Sequence, residues 1–192
     1  MMSSGTLIVL SGPSGSGKST VIDRLLERLP IALEVSASMT TRPRRGDDQH
    51  TKQYIHVTHA EFEAARRGNQ LLESAEVSGH WYGTPREPVE RALAAGRSVL
   101  LEIDVQGGMA VRRLFPRCVL VFLKARSLEE YEARIRRRGT NSEPEIERRL
   151  AAARRELELA NHYDYQVVND DLDEAVQELG EILTRVGGTG CA

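Results

Sequence analysis

Cysteine is scarce in this 192-residue chain: Cys118 and Cys191 are the two present, and no CxxC spacing joins them. That excludes a disulfide framework and a thiolate metal site. Cys118 lies in an apolar run and is expected to be a core thiol, a usage that suits a reducing cytoplasm. Long apolar runs are missing too, since none approaches the roughly 18 residues that span a bilayer. The first residues, Met1-Met2-Ser3-Ser4-Gly5, lack the basic start of a signal peptide. The expectation is a cytoplasmic protein without membrane contact. There is also no basic surplus, the net charge being −2, which argues against a general nucleic-acid binder. Internal repeats and low-complexity segments are absent as well.

What is there is an ordinary globular composition, 40% apolar and 28% charged, in a chain long enough for one core with small inserted parts. Leu7-Ile8-Val9-Leu10 reads as a buried strand, followed by a helix from Lys18 to Leu29. Ser98 to Asp104, Val119 to Leu123 and Tyr165 to Val168 are further short apolar runs. Separated by helical patterns, they suit parallel strands covered on both faces. Capping boxes mark helix starts at Thr58/Glu61, Ser127/Glu130 and Ser142/Glu145. Gly96 is placed to end the helix of Pro88 to Ala95. The order points to a doubly wound α/β core over 5–34 and 85–186. The polar stretch 35–84 departs from it and reads as an inserted substrate-binding subdomain, and the arginine-rich 134–155 as a mobile lid.

Residues Gly12-Pro13-Ser14-Gly15-Ser16-Gly17-Lys18-Ser19 meet GxxxxGK[ST] in full, between a strand and a helix. Glycines let backbone N–H groups turn inward around a phosphate, and the following helix presents its positive end. Lys18 can bridge β- and γ-phosphates, and the Ser19 hydroxyl, followed by Thr20, can complete a Mg²⁺ shell. The expected donor is therefore ATP with Mg²⁺, in an α/β P-loop NTPase fold whose parallel sheet is flanked by helices. A second segment, Ser36 to Asp47, concentrates hydroxyls and arginines, whose forks match phosphate oxygens bidentately.

In sequence order, the loop at Gly12 to Ser19, Ser38-x-Thr40-Thr41-Arg42, Tyr54, Leu72-Glu73, Gly79-His80-Trp81-Tyr82-Gly83-Thr84, Glu102-Ile103-Asp104-Val105-Gln106-Gly107, Arg138-Gly139-Thr140 and Val168-Asn169-Asp170-Asp171-Leu172 resemble guanylate kinase. The resemblance runs over nearly the whole chain and implies ATP:GMP phosphotransfer. It implies that Arg42, a second arginine, Tyr54 and Tyr82 hold the GMP phosphate, and that Ser38, Glu73, Thr84 and Asp104 contact guanine or its nucleoside. Counting back from Gly46 selects Arg44 as the second arginine, and counting forward from Arg42 selects Arg45. Asn169 matches a position near adenine, and Arg134, Arg138 and Arg149 match the lid arginines. Trp81 stands where the family often has Tyr and is read as packing.

The chemistry of the residues agrees. A carboxylate such as Glu73 accepts hydrogen bonds from guanine N1–H and its 2-amino group, a paired donor edge that adenine lacks. Glu102 and Asp104, two apart at a strand end, are expected to share a face at the sheet's carboxyl edge, where open α/β sheets bind ligands. Arg134 and Arg138, four apart, share a helix face. Arg136, Arg137, Arg148, Arg154 and Arg155 read as a solvated face paired with glutamates. His56 and His59 form a lone HxxH, too few ligands for zinc, so no metal besides nucleotide-bound Mg²⁺ is expected. Nothing selects monomer over homodimer. The rivals are a noncatalytic scaffold of the same shape and a related kinase for another phosphorylated acceptor.

Overall fold

The computed structural model describes residues 5–28, 33–44, 54–77, 79–137 and 142–186. Five strands, β1 (Leu7–Ser11), β2 (Leu33–Val35), β7 (Ser98–Glu102), β8 (Val119–Lys124) and β9 (Tyr165–Val168), form a parallel sheet in the order β2-β7-β1-β8-β9. Alternation decides what covers it. Leu7 and Val9 face one side with Val99, Leu101, Leu120 and Phe122, against α3 (Arg86–Ala94) and α4 (Val105–Leu114). Ile8 and Leu10 face the other with Leu100, Val121 and Leu123, against α1 (Lys18–Arg28) and α7 (Leu172–Val186). Buried on both faces, the three inner strands β1, β7 and β8 are apolar without a polar alternate, as covered parallel strands require, whereas the edge strands β2 and β9 carry Glu34 and Gln166.

A second, mixed sheet of order β4-β3-β6-β5 is drawn from β3 (Ser38–Thr40), β4 (Tyr54–His56), β5 (Leu71–Val77) and β6 (His80–Pro85). It carries its own small core of Phe62, Ala65 and Leu71 beneath α2 (His59–Arg67), with Trp81 packed on Phe62 at 5.9 Å and Arg66 lying over the Trp81 ring at 4.9 Å. Thr40 and Thr41 pin β3 to this sheet. The Thr40 hydroxyl donates to the Trp81 carbonyl, 2.9 Å, and the Trp81 N–H donates to the Thr41 hydroxyl, 2.9 Å. The remaining pair, α5 (Leu128–Arg137) and α6 (Glu143–Glu158), pack on one another beside the parallel sheet.

Helix ends follow their local chemistry. At Thr58 the reciprocal box forms, with Glu61 receiving the Thr58 N–H at 2.7 Å, which holds the Glu61 carboxyl below its ordinary pKa. At Ser142 the Glu145 carboxylate accepts from both the backbone N–H, 2.8 Å, and the hydroxyl, 2.9 Å. The helix of 86–94 ends as Gly96 predicts: with φ +78 it lets Gly96 and Arg97 N–H groups close on the Leu93 and Ala92 carbonyls.

Two expectations change. At Ser127 the hydroxyl bonds Glu129, while the Glu130 carboxylate turns to the Arg126 N–H, 3.4 Å, and to Arg134, 3.3 Å. A basic partner four residues on draws Glu130 away from the cap. The apolar run from Ser98 also stops earlier than read: β7 ends at Glu102, and Asp104 is the N-cap of α4, its carboxylate accepting the Gly107 N–H at 2.7 Å. Helix capping, rather than strand alternation, therefore orients Asp104.

Candidate active site

Every strand of the parallel sheet ends at the same edge, and the loop of residues 12–19 leaves the middle strand β1 there. Ser16 N–H donates to the Pro13 carbonyl, 3.0 Å, which folds the loop into a turn. Gly17 has φ +92, and a Cβ built there would stand 2.4 Å from the Asn169 amide nitrogen. Conformation and space both demand glycine. The Lys18 ammonium bends back over the loop to the Gly12 carbonyl at 2.6 Å and the Pro13 carbonyl at 3.4 Å. A flexible four-carbon stem holding a compact charge can swing from there to an incoming phosphate.

Two clefts flank this loop. The first, of about 230 Å³, is lined by Gly12, Ser14 and Lys18 on one side and by Ser38, Tyr54, Glu73, Tyr82, Glu102 and Asp104 on the other. Glu73, on β5, is 8% exposed and accepts from the buried Thr84 hydroxyl of β6 at 2.7 Å. A Cβ on Gly107 would lie 2.8 Å from Glu73 Oε2, so the bare first turn of α4 leaves room for that carboxylate. Arg42 is 6% exposed, its guanidinium bonded to the Pro43 carbonyl at 2.9 Å and set 5.2 Å from the Tyr54 ring centre. Tyr54 in turn meets Tyr82 edge-on at 6.5 Å. Arg44 is exposed, and Arg45 lies outside the described residues. His56 Nδ1 donates to the Arg42 carbonyl, 2.7 Å, and His59 is exposed on α2.

The second cleft, about 460 Å³, is lined by Gly15, Gly17, Thr20, Arg134, Arg137 and Asn169 among others. Arg134 Nη2 bonds the Asn169 carbonyl at 2.5 Å, and Nη1 reaches the Ser16 carbonyl at 3.5 Å. Arg149 of α6 stands 3.3 Å from the Ser14 hydroxyl. Arg138 lies outside the described residues. Arg136 pairs with Glu132, 2.8 Å, and with Glu143, 2.5 Å, on the surface. A larger depression of about 710 Å³ between α1 and α7 is lined by Arg28, Asp173, Gln177 and Arg185. It has no loop N–H groups and no convergent buried polar side chains, and is not the site.

One cleft residue escaped the sequence reading. Glu156 sits beside Lys18 and Asp104 in the first cleft. Burial pushes its carboxyl above the ordinary range, against the pull of the Lys18 ammonium. Its signal was spacing: Glu156 follows Arg149 by seven residues, two turns of α6, so both share the face toward the loop. Ser19 and Glu102 supply the hard-oxygen pair, the Ser19 hydroxyl donating to Glu102 Oε1 at 2.8 Å.

The guanylate kinase family model matches residues 4–186. The chain belongs to the guanylate kinase family. It is 49% identical over 180 residues to the guanylate kinase of Synechococcus sp. (strain CC9902), covering 93% of this chain and 95% of that one. To the guanylate kinase of Rubrobacter xylanophilus it is 45% identical over 192 residues, 99% of this chain and 100% of the relative. The crystal structure of guanylate kinase from Anaplasma phagocytophilum superposes with a TM-score of 0.77 at 33% identity, covering 98% of this chain and 89% of that chain. Among the described residues no helix is long and apolar enough to cross a membrane.

Proposed function

We propose that the two clefts flanking the phosphate loop hold the two substrates of one phosphoryl transfer, ATP beside Gly15, Thr20 and Asn169 and GMP beside Glu73. The chain catalyses ATP-dependent phosphorylation of GMP to GDP, the activity of its family. One observation carries the acceptor assignment: a buried carboxylate, Glu73, steadied by Thr84, in a cleft whose far side is Lys18. Guanine offers that carboxylate two donors on one edge; adenine would leave it unmet, at a large cost. dGMP fits the same cleft, because it presents the same guanine edge and the same phosphate.

Arg42, with Tyr54 and Tyr82, faces the GMP phosphate, and either Arg44 or Arg45 supplies the second guanidinium. Ser38 and Asp104 contact the nucleoside. The GMP phosphate oxygen is already anionic, so it attacks the γ-phosphorus in line without a protein base, and the bond to the β-phosphate oxygen breaks, leaving ADP. Lys18 tracks the β- and γ-phosphates, and Arg134, Arg138 and Arg149 approach the transferring group as the lid closes and excludes water. The donor set of the Ser19 hydroxyl and the Glu102 carboxylate fits Mg²⁺ directly or through water; bound there, the ion neutralises phosphate charge. A role in purine nucleotide supply and GMP recycling suits these substrates, and the scarcity of cysteine suits a cytoplasmic location.

Lys18→Ala tests the donor half. Turnover should fall by about a thousandfold or more, loop cations being worth several kcal/mol at a transferring phosphoryl group, with the thermal melt preserved. Undiminished turnover in the folded variant would contradict the mechanism.

A further inference from the structure

We propose that Asn169 is a positioning residue for the phosphate loop, its side-chain amide fixing the Ser16 peptide rather than reading the base of the nucleotide. This rests on residues 12–19 being the triphosphate site. Asn169 directly follows β9 and is 7% exposed. Its backbone N–H donates to the Lys124 carbonyl at 2.7 Å, which continues the β8–β9 ladder and leaves the residue little freedom. From that anchor, Nδ2 donates to the Ser16 carbonyl at 2.7 Å, both partners buried. The Asn169 carbonyl is itself gripped by Arg134, whose other nitrogen also reaches Ser16.

The consequence lies in peptide geometry. The Ser16 carbonyl and the Gly17 N–H share one planar trans unit and point in opposite directions. Pinning the oxygen therefore fixes the direction of a loop N–H before any anion arrives. Donors set in advance need no reorganisation when the phosphate binds, which is where such loops gain their strength. The same amide occupies the space a Gly17 side chain would fill, so Gly17 and Asn169 act as a pair. The amide nitrogen that would donate to a ring nitrogen of the base is committed to the loop instead.

Two variants test this: Asn169→Leu, nearly equal in shape with no donor and no added charge, and Asn169→Ala. The probe is inorganic tripolyphosphate, which has no base, as a competitor of ATP. Losing one buried hydrogen bond should raise its Ki about tenfold in both variants, while the KM for GMP and the ratio of kcat/KM for ATP over ITP stay unchanged. Ki and KM do not depend on the fraction of folded enzyme, so partial unfolding does not imitate this pattern. An unchanged Ki would overturn the inference, most pointedly if the ATP over ITP preference collapsed. A KM for GMP rising in step with the Ki would also overturn it, marking a general distortion. If tripolyphosphate failed to compete with ATP on the unsubstituted enzyme, the loop assignment would fall, and this inference with it.

Discussion

Glu73 is the carboxylate on which the proposed guanine selectivity rests. Thr84 holds one oxygen, and the missing side chain of Gly107 gives the other its place. Gly107→Ala therefore separates stability from function. Alanine favours the helix by roughly 1 kcal/mol, which offsets the cost of shifting the buried carboxylate, so the melting temperature should change little. The new Cβ displaces Glu73, and the KM for GMP should climb about tenfold, the worth of one strong hydrogen bond; steady-state kinetics beside a thermal melt checks both. Glu156 gives a pH signature. Its carboxyl holds its proton more tightly folded than unfolded, so its contribution to stability declines as pH rises from the ordinary carboxylate range through the raised folded value, and is level above that. Glu156→Gln should thus melt higher than the parent at neutral pH, with the advantage vanishing near the pH where an unfolded glutamate is protonated. A melt series across pH reads the difference directly.

At the scale of elements, the capped helices and buried parallel strands were the legible part. Apolar runs without alternation, and Ser or Thr three residues before Glu, are local signals that tertiary structure leaves alone. Where a stronger partner stood nearby, local reading failed: Glu130 abandoned its cap for Arg134, and Asp104 became a helix cap beyond the end of its strand. The strands Ser38–Thr40 and Tyr54–His56 have three residues each, too few to display a period. The turn after α2 was not visible either. There Asn69, not Gly68, takes the left-handed conformation, φ +55, and the Asn69 and Gln70 N–H groups close on the Arg66 and Ala65 carbonyls. Asn69→Ala should lose about 1 kcal/mol, the cost of a Cβ without a compensating polar group in that region, whereas Asn69→Gly should lose none. Chemical denaturation of the two variants tests the assignment.

At the scale of the molecule, one loop stands between two clefts because β1 is the middle strand of a parallel sheet and delivers its carboxyl end between β7 and β8. The small sheet brings Ser38, Tyr54, Glu73, Tyr82 and Thr84 to one side and α5 brings Arg134 to the other, while Arg149 of α6 meets the loop at Ser14, on the first cleft's rim. The motif at residues 12–19 named the donor chemistry from sequence alone. The proposed acceptor site draws on residues scattered over four strands and a helix cap, which spacing along the chain does not join; Glu156, two helical turns from Arg149, was missed because only the fold brings it beside Lys18 and Asp104. The central claim is that the Glu73 cleft selects guanine. ADP release measured with GMP, dGMP, AMP, UMP and CMP as acceptors tests it. GMP and dGMP should be phosphorylated with one ADP per product, and the other three at least about a hundredfold more slowly, as an unmet buried carboxylate requires. Preference for AMP, UMP or CMP, or turnover with none of the five, would contradict it.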